Sequence, residues 1–405
     1  NTKAPIAKVA DTVSGYFVPA VILIAIITFI AYLILGNTVA TAINAFVTIL
    51  VVACPCSLGL ATPLAIVVSE GVCANNGILV KKSEILENAE KTTTVVFDKT
   101  GTLTKAKPTV VDVVSFCDET PDELLRIAAC LEEHFPHSMA KAVVEAAKQK
   151  FLEHEEMHSK VEYIVAHGIS TTIEDHKAVI GSYHFVFEDE KCVIPEDGQA
   201  KFDNIPEEYS HLYLALEGTL AAVICIEDPL REEAADVIKA LKKAGISKVV
   251  MMTGDSERTA AAIAKRVGVD EYYSEVLPED KANFITKETE KGRKVMMIGD
   301  GINDSPALSA ASVGIAVSDG AEIAKEIADI TISAESLYEV VALKKISNAL
   351  LKRIHKNYRS IVGINSGLIV LGVAGVLAPA TSALCHNVST LLISLNSMKN
   401  LLPEE

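Results

Sequence analysis

One short stretch limits the possible fold more than any other part of the chain. Residues 94–97 are apolar and β-prone, the run ends at Asp98, and a small polar turn, Lys99-Thr100-Gly101-Thr102, follows it. In an open parallel α/β sheet, reactive groups lie at the carboxyl ends of the strands. The stretch therefore predicts Asp98 at a strand end, beside backbone N–H groups that can hold the oxygens of an anion. An ordinary turn aspartate is the alternative for this motif taken alone.

Two further apolar runs end in polar groups in the same way. Residues 249–252 precede Thr253-Gly254-Asp255, and residues 294–298 precede Gly299-Asp300. Both runs have the composition of buried parallel strands with a polar group at the end. The chain from about 84 to 343 alternates strand-like and helix-like stretches, which is typical of parallel α/β sheets.

Four apolar runs flank this α/β part. They cover about residues 17–35, 39–68, 361–378 and 381–395, and Pro55 and Pro63 interrupt the second. The first is long enough to cross a bilayer as a helix. Half of the residues are hydrophobic, which favours membrane segments over core helices of a soluble protein.

Charge and cysteine content restrict the partners and the compartment. The net charge of −16 argues against a nucleic-acid partner, because phosphate backbones select basic surfaces. The eight cysteines have no secreted-domain spacing, so a reducing cytosol is expected and a disulfide framework is not. Basic residues lie outside the paired apolar runs, and this bias predicts a cytoplasmic middle part. They are Lys81, Lys82, Lys352, Arg353, Lys356 and Arg359.

These patterns predict four domains. Residues 1–83 form a transmembrane helix pair and residues 344–405 form a second. Residues 84–113 and 218–343 form a discontinuous α/β domain, and residues 114–217, which are polar and His-rich, form a smaller α+β domain inserted into it.

The complete motif Asp98-Lys99-Thr100-Gly101-Thr102, together with its downstream partners, resembles the P-type ATPases, whose phosphorylation domain has the Rossmann-like haloacid dehalogenase fold. The resemblance implies that Asp98 attacks the γ-phosphate of ATP. The catalytic residues that it implies are Asp98, Lys99, Thr100, Thr253, Gly254, Asp255 and Lys281. The implied Mg²⁺ ligands are Asp98, Thr100, Asp300 and Asp304, since Mg²⁺ prefers oxygen ligands.

The residue two places after the nucleophile is informative. Many relatives with this fold have a second aspartate there as a general acid and base, but this chain has Thr100. Without a nearby base, water attacks an aspartyl phosphate slowly. A long-lived phosphoenzyme suits coupling to a conformational change better than phosphatase activity.

The resemblance also implies ATP binding by the inserted segment. Glu132 and His137 match the Glu and the His of the heavy-metal branch's nucleotide motif, although Ser138 replaces its proline. Gly168 matches the second glycine of a pair whose first position is Ala166, and Gly181 matches a later small residue. The additional histidines in this region are scattered and predict no metal cluster.

The membrane part contains Cys54-Pro55-Cys56, which resembles the heavy-metal branch. A proline unwinds a membrane helix locally, and thiolates select soft or borderline ions such as Cu⁺, Zn²⁺ and Cd²⁺. Two buried free cysteines are the alternative. Asn365 and His386 occupy ligand positions of the family, but neither the copper pattern nor the zinc pattern is complete. Imidazole with thiolate favours a divalent ion such as Zn²⁺, Cd²⁺, Co²⁺ or Mn²⁺ and leaves Cu⁺ open.

The resemblance covers the third to sixth core helices of the family and implies an integral protein of the plasma membrane, with lipid, ATP and a heavy-metal cation as partners. The family's Thr-Gly-Glu actuator motif and leading helices are not in this sequence. We therefore expect the C-terminal portion of a pump, with the remaining parts as partners. A membrane-tethered phosphatase or a metal-binding regulator without transport is the second hypothesis.

Overall fold

The computed structural model describes residues 5–52, 56–105, 107–133, 138–152, 162–164, 168–173, 176–207, 209–300, 304–317, 322–333 and 335–402. In chain order, the helices are α1 (Pro5–Ile34), α2 (Val39–Val51), α3 (Cys56–Asn75), α4 (Glu84–Lys91), α5 (Pro121–Glu132), α6 (Ser138–Gln149), α7 (Gln199–Asp203), α8 (Ala234–Lys243), α9 (Glu257–Val267), α10 (Pro278–Glu290), α11 (Ser305–Ala310), α12 (Glu322–Ile327), α13 (Tyr338–Val373) and α14 (Pro379–Ser397).

The strands, in the same order, are β1 (Ile78–Val80), β2 (Thr94–Asp98), β3 (Thr109–Ser115), β4 (Glu162–Ile164), β5 (Gly168–Ile173), β6 (His176–Gly181), β7 (Ser210–Leu216), β8 (Thr219–Glu227), β9 (Lys248–Met252), β10 (Glu271–Tyr273), β11 (Val295–Gly299), β12 (Val313–Val317) and β13 (Ile330–Ile332). The chain divides into two compact units. The first contains residues 1–91 and 339–405, and the second contains residues 92–338.

The first unit is helical. In the second apolar run, α2 ends at Val51 and α3 begins at Cys56, on either side of the predicted interruption at Pro55. Pro63 lies inside α3. Among the described residues, one helical segment, Gly15–Ile34, is long and apolar enough to cross a membrane, with a mean hydropathy of 2.8.

The helices of this unit bury polar side chains and expose apolar ones. Ser382, His386 and Ser397 of α14 are buried, as is Asn365 of α13. Large apolar side chains on the same unit's helices are exposed. They include Ile22, Leu23 and Ile26 in α1, and Leu384, Leu391, Leu392 and Leu395 in α14. This distribution is the reverse of that in a water-soluble bundle and is typical of helices in lipid.

Two sheets make up the second unit. Six of its strands pair in parallel in the order β13-β12-β11-β2-β9-β10, which confirms the predicted α/β class. The three predicted strands before Asp98, Thr253 and Asp300 are β2, β9 and β11, and the residues of β2 and β11 are buried throughout. These apolar strands form the core that fixes the neighbouring polar ends.

The second sheet is antiparallel, in the order β3-β8-β7-β6-β5-β4. We call the part of the chain from Thr109 to Glu227 the insertion. Helices α5 and α6 pack on one face of its sheet, with Leu124 and Leu125 fully buried, and Phe185 and Tyr213 are in the core on the other face. The sheet extends beyond residues 114–217, because β3 and β8 pair with each other over residues 109–115 and 222–227. The division into four domains remains a prediction.

Candidate functional site

The polar ends of three parallel strands meet at one edge of the sheet. Strand β2 lies between β9 and β11, with Asp98 opposite Met252 and Phe97 opposite Ile298. Because the strands are parallel and in register, Asp98, Thr253 and Asp300 emerge at the same edge. Side chains predicted from separate motifs along the sequence therefore belong to one site.

A buried lysine joins two of the carboxylates. Lys281 of α10 donates hydrogen bonds from Nζ to Asp98 Oδ1 at 2.6 Å and to Asp304 Oδ1 at 2.8 Å. All three side chains are at least nine-tenths buried. Burial would favour the neutral amine, but the two carboxylates raise the pKa of Lys281 above its ordinary value, so the group is an ammonium ion.

The carboxylates themselves crowd one another. Asp98, Asp300 and Asp304 each offer an oxygen, and these oxygens all lie within 4.8 Å of one another. Burial, and then repulsion by Asp304, raises the pKa of Asp98 to about 6. Burial, and then repulsion by Asp98 and Asp304, raises the pKa of Asp300 to about 7. One lysine does not offset three buried negative charges, so the site favours a further cation.

Two glycines allow this close approach. Gly101 has a φ of +72°, and a Cβ atom there would overlap the carboxylate of Asp300. A Cβ atom at Gly299 would lie 2.5 Å from Asp304 Oδ2. Any larger residue at either position would displace a carboxylate, so the glycines keep the acidic side chains against the backbone.

The chemistry of this donor set fits Mg²⁺. The ion binds oxygen ligands, commonly with one or two carboxylates and the phosphates of a substrate. Asp98, Asp300 and Asp304 supply such oxygens in one cluster, in which burial first and mutual repulsion second raise the pKa values of Asp98 and Asp300. Thr100, the fourth predicted ligand, lies in the turn Lys99–Leu103 that follows Asp98 directly, and its own backbone angles are extended.

Beside these carboxylates lies a second buried ion pair. Lys99 Nζ is 2.6 Å from Asp255 Oδ2, and Thr253 Oγ1 donates a short hydrogen bond to the same oxygen. Burial would raise the pKa of Asp255, but Lys99 and these hydrogen bonds hold it below its ordinary value. Gly254, between Thr253 and Asp255, is exposed at the surface of this loop.

Three residues at this site, Ser210, Thr104 and Asp228, are not among those predicted from the sequence. Ser210, the first residue of β7, contacts both Lys99 and Asp255. Thr104 Oγ1 donates a hydrogen bond of 2.5 Å to Asp228 Oδ2, which joins the two points where the chain enters and leaves the insertion. No sequence signal distinguishes Ser210 from the other serines.

The predicted nucleotide residues lie in different parts of the insertion. Gly168 begins β5 and Gly181 ends β6, and the two are directly opposite each other in the antiparallel register. A Cβ atom at Gly168 would overlap the ring of Phe185, so packing also requires glycine there. Glu132 is the last residue of α5 and is buried. His137 lies outside the described residues.

The predicted ion ligands lie in the helical unit. Asn365 of α13 and His386 of α14 are both buried, with 2% and 4% of their surface exposed. Within the described part of the chain, neither ring nitrogen of His386 has a hydrogen-bond partner. Cys54 lies outside the described residues, and Cys56 begins α3, but its side chain is likewise outside the description.

Comparison with known proteins gives results consistent with these observations. Residues 92–312 match the family model of haloacid dehalogenase-like hydrolases. The chain is 37% identical over 398 residues to the probable copper-exporting P-type ATPase V of Mycobacterium tuberculosis. It is also 37% identical over 409 residues to a copper-exporting P-type ATPase of Staphylococcus aureus. Each alignment covers 98% of this chain but 51% and 49% of the respective relative, so the chain spans about half the length of these curated relatives.

Solved structures give the same result. A zinc-transporting PIB-type ATPase in the E2.Pi state matches with a TM-score of 0.71 and 30% identity, covering 95% of this chain and 62% of that one. The catalytic domain of a CPx-ATPase matches with a TM-score of 0.52 and 28% identity, covering 69% of this chain and 95% of that one.

Proposed function

The chain belongs to the heavy-metal P-type ATPases, and from this we propose that it couples phosphoryl transfer from ATP onto Asp98 to the movement of a heavy-metal cation across a membrane. The observation that carries the proposal is the contact of Lys281 with both Asp98 and Asp304, beside Asp300. This group combines a nucleophile, a cation and a metal-binding carboxylate pair. Phosphoryl transfer depends mainly on positioning and charge neutralisation, which such a group provides.

In the proposed reaction, Asp98 is the nucleophile. Its pKa of about 6 leaves the carboxylate mostly ionised at neutral pH. A carboxylate oxygen attacks the γ-phosphorus of ATP, a new O–P bond forms, and the bond to ADP breaks with its electron pair leaving on ADP. Lys281 offsets negative charge at Asp98. The Thr253 hydroxyl, which donates to Asp255 in this structure, would turn its one proton toward a phosphate oxygen when the substrate is bound.

Asp98, Asp300 and Asp304 would hold Mg²⁺, with Thr100 at the adjacent turn. When bound, the ion supplies positive charge beside the transferring phosphoryl group. The crowding of the three carboxylates supports this assignment, because burial, and then their mutual repulsion, raises the pKa values of Asp98 and Asp300. Gly101 and Gly299 keep the backbone close enough for all three oxygens to face the same point.

The proposal assigns the nucleotide to the insertion, with Glu132, His137, Gly168 and Gly181 as contacts. The two predicted glycines pair directly with each other across β5 and β6, so they belong to one place in the sheet. Phe185 occupies the space next to Gly168 on one side of the sheet.

The contacts of α14 support a cation site at the Cys-Pro-Cys segment. Ser382 Oγ donates to the backbone oxygen of Thr48 at 3.3 Å, and Ile393 packs against Ala61. Helix α14 therefore lies next to α2 at Thr48 and next to α3 at Ala61. His386 shares the face of Ser382 and Ile393, because it lies four residues after one and seven before the other. His386 therefore lies between the level of Thr48 in α2 and that of Ala61 in α3.

The contacts of α13 place Asn365 in the same part of the helical unit as His386. Ile361 packs against Ala61, and Gly372 approaches Thr48 so closely that a Cβ atom would lie 3.0 Å from its methyl group. Asn365 lies four residues after Ile361 and seven before Gly372, on the same face. Asn365 therefore lies between the levels of Ala61 in α3 and Thr48 in α2.

We therefore propose Cys54, Cys56, Asn365 and His386 as the ligands of the transported ion. A buried imidazole without a partner among the described residues favours a ligand role, since an unpaired buried polar group is costly. Thiolate and imidazole bind Cu⁺ and borderline divalent ions such as Zn²⁺, Cd²⁺, Co²⁺ and Mn²⁺. The relatives named as copper-exporting and zinc-transporting fall within this class.

The proposal includes a location. The exposed apolar side chains of α1 and α14 face lipid, and the protein is integral to the cell membrane. The basic residues around positions 81 and 352–359 keep the α/β part in the cytoplasm, where ATP is available.

The decisive experiment measures the phosphoenzyme. With labelled ATP and Mg²⁺, the protein should form an acid-stable product that hydroxylamine cleaves, as it cleaves acyl phosphates. Asp98→Asn should form none, because an amide is not a nucleophile here. Undiminished labelling of Asp98→Asn would exclude Asp98 as the acceptor.

A further inference from the structure

We infer that Ser210 is a positioning residue through which the insertion fixes Lys99 and Asp255 beside Asp98. The inference rests on the proposed phosphoryl transfer to Asp98. It concerns a residue that no motif of the site contains, 111 positions from Lys99 in the chain.

Ser210 closes a ring of three contacts. Its hydroxyl accepts a hydrogen bond from Lys99 Nζ at 3.1 Å and donates one to Asp255 Oδ1 at 2.7 Å. Lys99 Nζ lies 2.6 Å from the other oxygen of the same carboxylate, Oδ2. A hydroxyl can accept from one partner and donate to the other, so Ser210 satisfies both ions without adding charge.

The backbone of Ser210 is held by the sheet of the insertion. The residue begins β7 opposite Ile226 of β8, and it is 5% exposed. A buried strand residue has little freedom to follow a moving side chain. The sheet therefore fixes the position of the hydroxyl, and the hydroxyl in turn orients Lys99 and Asp255.

Polar side chains also join the insertion to α9, and we call this contact the seam. Arg258, near the start of α9, pairs with Glu207 at 2.6 Å, and Thr259 Oγ1 donates to the backbone oxygen of Tyr209 at 3.0 Å. A cavity of about 220 Å³ lies next to these contacts, with Tyr213 and Arg258 among its lining residues. Of these described polar contacts, those of Ser210 reach Lys99 and Asp255, whereas those of Arg258 and Thr259 do not.

The position of Lys99 matters for the reaction. It follows Asp98 directly in the chain and is buried, with its Nζ 2.6 Å from Asp255 Oδ2. Its charge therefore lies close to the carboxylate that receives the phosphoryl group in the proposed reaction. Ser210 holds the ammonium group in one orientation, so its loss should slow the transfer and leave the binding of nucleotide by the insertion unchanged.

The test compares Ser210→Ala with Thr259→Val in the full chain. Thr259→Val removes a buried hydroxyl from the same seam, one that contacts neither Lys99 nor Asp255. For each variant, rapid quench gives the rate of phosphoenzyme formation at saturating ATP, and a titration gives the dissociation constant of ATP. Ser210→Cys, which keeps the volume but is a weak donor, replaces Ser210→Ala if the latter lacks a wild-type melting transition.

We expect Ser210→Ala to slow phosphorylation about ten-fold with little change in ATP affinity, because misplacing a charged group costs at least this much. Thr259→Val should change neither quantity. A wild-type rate in the Ser210 variant, or equal slowing by Thr259→Val, would overturn the inference. Asp98→Asn, measured in parallel, separates this outcome from a failure of the proposed function, because that variant alone reports whether Asp98 is the acceptor.

Discussion

Lys281 Nζ lies 2.6 Å from Asp98 Oδ1, although α10 and β2 are separated in the chain by the whole insertion. The pair is buried, and the same ammonium group also contacts Asp304. A lysine in this position does two things. It keeps the nucleophile and a metal-binding carboxylate together, and it reduces the repulsion between them.

We therefore expect Lys281→Met to slow phosphoenzyme formation about 10²-fold, the usual effect of removing one charge-stabilising donor. ATP affinity should change little, because the insertion lies elsewhere on the unit. Lys287→Met, on the exposed side of the same helix, is the matched control and should behave as wild type. Rapid-quench rates for the two variants provide the measurement, and similar rates would contradict a role for the Lys281 charge.

The raised pKa values of Asp98 and Asp300 predict how pH affects stability. Both values, about 6 and about 7, are above those of an unfolded chain, so the folded state binds more protons between about pH 4 and pH 7. The free energy of unfolding without Mg²⁺ should therefore fall as pH rises through this range. Mg²⁺ competes with these protons, and its stabilising effect should grow over the same range.

Thermal unfolding with and without Mg²⁺, at about pH 5 and about pH 8, tests this expectation. At about ten times its dissociation constant, a bound ion adds about 1.4 kcal/mol, or roughly 3 °C in Tm, and this gain should appear mainly at the higher pH. Asp300→Asn should abolish most of it, whereas Asp236→Asn on the exposed face of α8 should not. An equal gain at both pH values would argue against binding by these carboxylates.

Asp98, Thr253 and Asp300 could be predicted because each one ends an apolar run, and parallel strands bring their carboxyl ends to one edge. Ser210 could not be predicted in this way. Its place depends on the antiparallel pairing of β7 with β8 and on how the insertion docks on α9, and neither is encoded in a local pattern. The boundaries of the insertion could not be predicted either. They depend on the pairing of β3 with β8, which no local sequence pattern indicates.

Because β3 pairs with β8, the segment that we expect to fold alone is residues 108–228 and not residues 114–217. A fragment of residues 114–217 would lack all of β8 and most of β3, and with them buried core residues such as Val223, Ile224 and Ile226. We expect residues 108–228 to unfold cooperatively as an isolated domain and residues 114–217 not to. Circular dichroism melts of both fragments test this, and a cooperative transition in the shorter one would contradict it.

The longer fragment also allows a direct test of nucleotide binding. It should bind ATP without Mg²⁺, because contacts to the base dominate, and His137→Ala should weaken that binding. His211→Ala, at the seam with α9, is the control and should bind ATP as the parent fragment does. Chemical-shift changes on ATP titration that avoid the region around residue 137 would count against the assignment.

His386→Ala should alter which metal stimulates ATP hydrolysis. The loss of a buried imidazole ligand should reduce stimulation by the preferred ion at least about ten-fold, since even changes in outer-shell groups have effects of this size. ATP binding should be unaffected. His355→Ala, exposed on α13, is the matched control. The measurement is the ATPase rate of the complete pump against Cu⁺, Zn²⁺, Cd²⁺, Co²⁺ and Mn²⁺.

If His386→Ala and wild type give the same metal profile, His386 is a packing residue and the preference for a divalent ion loses its support. Cys54→Ser and Cys56→Ser should each abolish stimulation, because one thiolate cannot replace a two-point soft site. A cysteine variant that retains full stimulation would remove the segment from the ion site.

The central place of β2 in the parallel sheet has a consequence for how the protein is made. Both of its neighbours, β9 and β11, follow the insertion in the chain, whereas the strands of the insertion pair among themselves. During synthesis, β2, which carries Asp98, therefore leaves the ribosome before both of these neighbours and has no partner from them while the insertion folds. The acceptor site is completed only when β11 has been synthesised, so a chain that stops before that point has a folded insertion but no assembled catalytic edge.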